Sequence, residues 1–454
     1  MVKPCLLILS FLLSLSLCGQ DDIRFVADKI RSNYFPLGGT ADTGNFQTRL
    51  LKIEAKPNSF EAISSLVVSF NDPHLIFIQH NINNAADSAL VLNRRKTTEI
   101  HSSLSSLSGS NPVTGYWMND RSNCIVAITP IAGDSHNFEG YAVECKAKFY
   151  TGTRVLRSWT GSEGDSLINF IDLQNNYRQA ARLRFISADE FQVGNYSRWK
   201  RIKKPSDKML DAPDQRASVK IIDSSVLLFT IPENSYQNIA IVDSLVKEYD
   251  QMLRKTTLLI IDIRNNPGGS SRVPLKLLPY VYTDSIVKGE GYTYISEDLI
   301  NYESRILKTI DSLKDSLSYR KQLRYIDSLK LDRGKMRFMK GKTIIQDTVY
   351  KYPKQVAILA NYACMSASEV MLLYMRQSRK VNIFGERTAG ATDNLDYFPI
   401  LSPTRNFVLY MPSFRIRPTK VYGHYGKTGI APDITIPKEE KDWVNFVIKY
   451  FEKI

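Results

Sequence analysis

What is scarce in this 454-residue chain narrows its class first. It has five histidines, five cysteines and four tryptophans. No group of Cys and His has the spacing of a zinc site, and no phosphate-binding P-loop is present. No metal or cofactor is therefore expected. Beyond Leu17 no apolar run reaches the length of about 20 residues that a membrane-crossing helix needs. Lys and Arg outnumber Asp and Glu by 60 to 46, a net charge of +14. The basic residues are spread along the chain, so the excess reads as surface character and not as a nucleic-acid-binding arm. A composition that is 43% hydrophobic and 11% aromatic excludes a disordered or fibrous chain. The length allows two or three ordinary cores.

Lys3 precedes an apolar run from Leu6 to Leu17, and Asp21 and Asp22 follow. This is the pattern of a secretory signal over residues 1–19, with cleavage after Gly19. Lipid attachment at Cys18 ranks second, because Leu17 is large for that processing enzyme. The expected location is extracytoplasmic, either periplasmic or secreted. Cys124, Cys145 and Cys364 then remain. An oxidising compartment permits a Cys124–Cys145 disulfide, and two separate buried thiols fit the sequence equally well.

Residues 20–105 read as a mostly helical region with one strand-like stretch, Leu66 to Phe70. An Asn71-Asp72-Pro73-His74 turn follows it. Residues 106–205 read as a β-rich module, a small sheet or barrel. There Val143, Cys145, Ala147 and Phe149 alternate with Glu144, Lys146 and Lys148. Residues 206–454 change to α/β order. Val226–Ile231, Leu258–Ile263, Val356–Ala360 and Val381–Phe384 are strands, the last three with the character of buried parallel-sheet strands. A charged insertion occupies about 285–350. In it Leu299, Tyr302, Ile306, Ile310, Leu313 and Leu317 make one apolar stripe on a long helix. A packed surface helix or hairpin is the plain reading of it, and a lid over a cleft the sharper one.

Two loops carry chemistry. In Asp262-Ile263-Arg264-Asn265-Asn266-Pro267-Gly268-Gly269 the Gly pair lets backbone approach a partner closely, with N–H groups able to face an oxyanion. In Ala363-Cys364-Met365-Ser366-Ala367-Ser368-Glu369 a serine stands at a helix N-terminus. There it can serve as a nucleophile, or Ser366 or Ser368 can simply cap the helix.

Taken together the loops resemble the tail-specific, or carboxy-terminal processing, serine peptidase family. Its superfamily includes the tricorn core and the retinoid-binding protein of the photoreceptor matrix. The matching pieces are Leu258–Gly269, Val356–Glu369, Phe384-Gly385-Glu386-Arg387-Thr388-Ala389-Gly390 and Gly429-Ile430-Ala431-Pro432-Asp433. The resemblance implies a crotonase-like α/β peptidase core with Ser366 as nucleophile. It also implies an oxyanion hole from the Gly268 or Gly269 N–H together with the Ala367 N–H. The processing branch activates its serine with a lysine, and Ala391 stands at that position here. The tricorn-like branch uses a histidine from the N-terminal region, and Asn71-Asp72-Pro73-His74 resembles its turn. His74 is therefore the expected general base. A turn histidine satisfied by backbone is the plain alternative, and His424 is a rival base. The acid often found three residues before the closing glycine is replaced by Gly426. This leaves Asp72 and Asp393 as candidate orienting acids. No PDZ-like module is recognisable.

The reading is a secreted or periplasmic serine endopeptidase acting on peptides or unfolded polypeptide, with no nucleic-acid partner and no membrane span. The alternative is an inactive peptidase-like scaffold that serves as an extracytoplasmic binding protein.

Overall fold

The computed structural model describes residues 22–453, apart from 38–42, 55–58, 81–94, 108–112, 120–123, 146–150, 162–163, 173–176, 196, 204–213 and 427. The signal segment, Cys18 and residues 146–149 of the alternating stretch lie outside the described residues. The chain forms two compact units. One comprises Met1–Ala212, Thr293–Arg337 and Asp396–Ser413, and the other comprises Pro213–Tyr292, Phe338–Leu395 and Phe414–Ile454.

In the first unit, eight antiparallel strands close on themselves. In barrel order they are Gly115–Asn119, Cys124–Ile131, Asp134–Cys145, Arg154–Thr160, Ser166–Asp172, Tyr177–Ser187, Glu190–Val193 and Ser197–Ile202, the last pairing back to the first. The closing pairs are Leu183↔Val193 and Trp117↔Arg201. A barrel of about this size is filled by its own side chains. Trp117, Leu156, Phe191 and Trp199 supply that filling. Cys124 and Cys145 face each other across adjacent strands and are joined as a disulfide.

The Leu66–Phe70 stretch belongs to a helix, Ser59–Ser69, and not to a strand. The reason is its period. Phe60, Ile63, Leu66 and Val67 fall on one helical face and enter a core with Phe46, Phe77 and Leu409. The helix stops at Asn71, which takes a φ of 51°. The Asp72 turn then leads into Ile76–His80, a strand held between Phe407–Ile416 and Tyr177–Ser187. The insertion is a helical hairpin, Glu297–Thr309 and Ser316–Leu331, where one long helix is expected from the apolar stripe. The helix breaks at Ile310, and Leu313 is 95% exposed, so the stripe is not one buried face. Leu299 and Leu329 carry the burial instead.

In the second unit a sheet runs in the order Ser218–Ile221, Val226–Thr230, Leu258–Asp262, Gln355–Ala360, Val381–Gly385, Ile434–Thr435. All neighbours are parallel except the first pair. Every residue of Leu258–Asp262 is buried, as a strand covered on both faces requires. The chain passes from Gln355–Ala360 through the helix Ala367–Met375 to Val381–Gly385, a β-α-β unit. Loops after the carboxyl ends of such strands gather at one edge, where open α/β sheets bind ligands. The two chemistry-bearing loops follow two adjacent strands of this kind.

Candidate active site

The strand Leu258–Asp262 delivers the glycine loop and its neighbour Gln355–Ala360 delivers the serine loop. Asparagines weld the two. Asn361 Oδ1 accepts the Asn265 N–H at 2.9 Å, and Asn361 Nδ2 donates to Asn265 Oδ1 at 2.8 Å. The Met365 N–H donates to the Asn266 carbonyl at 3.1 Å. Ser368 Oγ donates to the same carbonyl at 2.9 Å. Ser368 therefore spends its hydroxyl on packing the loops, which separates its role from that of Ser366.

Ser366 is the N-cap of Ala367–Met375, with φ 55° and ψ −120°. Such backbone is rare for a residue with a Cβ and costs of order 1–3 kcal/mol. A nucleophile elbow uses strain of this kind to present a hydroxyl above a sheet. Opposite it lies Gly268, with φ 92°. A Cβ there would stand 2.6 Å from the Met365 carbonyl oxygen and 2.9 Å from both the Ala367 nitrogen and Ser366 Cβ. Only glycine lets these two backbones come so close. The Gly268 N–H donates to Asn266 Oδ1 at 2.9 Å, and Asn266 is itself fully buried. Gly269, by contrast, is exposed.

Glu369 is also fully buried. Its Oε2 accepts the Ser366 N–H at 3.0 Å and the Ala391 N–H at 2.7 Å. Its Oε1 accepts the Thr388 hydroxyl at 2.5 Å and the Gly390 N–H at 2.9 Å. Thr388 Oγ1 in turn accepts the Ile430 N–H at 2.7 Å. Three separate pieces of the sequence, the serine turn, residues 388–391 and Ile430, are thus knotted around one carboxyl group. Burial raises that carboxyl to about 7, against the pull of its donors. Cys364, also buried, has its thiol pushed up to about 12 and donates to the Ile263 carbonyl.

Asp393 Oδ1 accepts the Gly426 N–H at 2.8 Å. A Cβ on residue 426 would lie 2.5 Å from the Asp393 carboxyl carbon. The space where an acid at 426 would start its side chain is filled by the carboxylate of Asp393. His424 is exposed.

His74 lies in the other unit and is 3% exposed. Its N–H donates to Asp72 Oδ1 at 2.9 Å, the closure of an Asx-type turn. The imidazole is 6.0 Å from the Tyr397 ring. Burial lowers its proton affinity below the ordinary value, while the charges of Asp72 and Asp396 act to raise it. Asp396 is absent from the sequence reading. It has a φ of 47° and its residue surface is exposed, and partial desolvation of its carboxyl raises it while the His74 charge lowers it. No spacing rule points to it, because it lies more than 300 residues from His74. The backbone strain, invisible in the sequence, is its signal.

No curated protein matches the sequence closely enough to compare. Among solved structures, a mutant of CPAF is similar over 97% of this chain and 96% of its own, at 12% identity and a TM-score of 0.50. A putative peptidase from Parabacteroides merdae covers 96% of each chain at 11% identity and a TM-score of 0.45. The photosystem II D1 C-terminal processing protease covers 94% of each at 13% identity and a TM-score of 0.41. At such identities the likeness is one of fold. The glycine loop, the serine turn and the Glu369 knot all fall within residues 228–436, the stretch that matches the model of peptidase family S41.

Proposed function

We propose that this chain is a serine endopeptidase that hydrolyses peptides or unfolded polypeptide through an acyl-enzyme on Ser366. The observation that carries the reading is the strained Ser366 backbone at a helix N-terminus, packed against Gly268. Ser366 Oγ attacks the scissile carbonyl and forms the C–O bond. His74 takes the hydroxyl proton and gives it to the departing amine as the C–N bond breaks. Water then hydrolyses the ester by the same proton route. The Ala367 N–H and the Gly269 N–H receive the oxyanion. Gly269 is preferred over Gly268, whose N–H is taken by Asn266. Asp396, with Asp72, is the orienting charge for His74. Asp393 holds the Gly426 turn. The Cys124–Cys145 disulfide supports an extracytoplasmic location, and among the described residues no helix is long and apolar enough to cross a membrane.

A second reading, an inactive scaffold that binds a partner, is favoured by two positions. Ala391 stands where one branch keeps its lysine, and Gly426 where the other keeps an acid. A fluorophosphonate probe separates the two readings. The expected result is one adduct on Ser366, mapped by mass spectrometry, that is lost in Ser366→Ala and slowed in His74→Ala. Folded wild-type protein that forms no adduct would overturn the peptidase reading.

A further inference from the structure

We infer that Glu369 is a positioning residue that holds Ser366 in its strained conformation by tying the serine turn to the 388–391 segment and the closing segment. This rests on the assignment of Ser366 as nucleophile. A left-handed serine does not keep its backbone unaided, and the surroundings must over-determine it. The Ser366 N–H is held at 3.0 Å by Glu369 Oε2, the same oxygen that holds Ala391. The other oxygen holds Thr388 and Gly390, and Thr388 holds Ile430. The Ala389 N–H bonds to the Cys364 carbonyl and closes the ring back onto the serine loop. The helix dipole at its first turn also favours a negative charge there.

Four donors on two oxygens suit a carboxylate. A proton on either oxygen would displace one of the donors. Burial has brought the group to about 7, so protonation falls in the accessible range. The titratable group facing it is Cys364, neutral throughout that range. The Arg387 guanidinium is turned to the Gly429 carbonyl. The clamp is therefore closed on the alkaline side of neutrality and loosened on the acid side.

The test measures fluorophosphonate labelling of Ser366 across a pH series that spans the titration, in wild type, Glu369→Gln and Glu369→Ala. Hydrogen-exchange protection of the 388–391 amides is followed in parallel. In wild type the labelling rate should rise through neutrality. Glu369→Gln should lose that component and stay at the acid-side rate, with 388–391 less protected. Glu369→Ala should label at least about tenfold more slowly. If Glu369→Ala does not fold, the near-isosteric Gln variant carries the test alone. A Gln variant with the wild-type rate and pH profile overturns the inference. Wild type that is unlabelled at every pH would instead overturn the nucleophile assignment, and the exchange data alone would then decide whether Glu369 clamps the turn.

Discussion

The burial of His74 sets its chemistry. An imidazole whose proton affinity is lowered by desolvation stays neutral to a pH below its ordinary 6.5. As the proposed general base it must be neutral, so its own acid limb in kcat/KM should lie below that value, beneath the limb that Glu369 sets near neutrality. The linkage has the same sign. The unfolded chain binds the proton more readily, so stability also falls as pH drops below 6.5. Asp396 and Asp72 differ in what their loss should do. Asn tolerates the positive φ of Asp396, so Asp396→Asn removes a charge and little else. Its acid limb should move to lower pH, and kcat/KM should drop by about tenfold or more as the imidazolium loses support. Its melting temperature should stay near that of wild type. Asp72→Ala should instead cost about 1 kcal/mol of stability, because the turn loses its acceptor. A pH–rate profile and a thermal melt of each variant distinguish the two roles. Asp396 acting like a silent surface residue would remove it from the mechanism.

At the level of the element, the site is two loops held together more than it is two motifs. Sequence reading finds the Gly pair and Ser366 because each needs a residue type that stands out locally. The asparagines that join the loops give no such signal, since Asn265 and Asn361 meet only once parallel strands bring them together. The same limit explains the misread helix Ser59–Ser69, where an apolar run of five residues fits both periods and only a longer window separates them. It also explains the hairpin in the insertion, where spacing alone does not show the break at Ile310. Asn361→Ala should therefore matter although it touches no substrate. It leaves the buried Ala363 N–H without its side-chain acceptor and cuts both bonds to Asn265. The expected cost is about 1–3 kcal/mol, read as a fall of several degrees in melting temperature together with slower labelling of Ser366. A variant with the wild-type melt and labelling rate would mean that backbone bonds alone weld the loops.

At the scale of the whole molecule, the match to the S41 family ends where the barrel is concerned. It spans 228–436, and the eight barrel strands all precede it. The barrel has its own core of Trp117, Leu156, Phe191 and Trp199, while the serine turn rests on a different one that includes Leu259, Ile358 and Leu372. The disulfide belongs entirely to the barrel. It joins residues separated by 21 positions, and a loop of that length contributes about 3 kcal/mol in the chain-entropy account. Separate cores imply separate responses. Reducing the disulfide, or replacing both cysteines by Ser, should lower the temperature at which the barrel tryptophans become exposed, followed by their fluorescence. Below that temperature the rate of Ser366 labelling should not change. If labelling is instead slower while the tryptophan signal is still native, the barrel and the serine turn are coupled, and barrel stability becomes a condition of presenting Ser366.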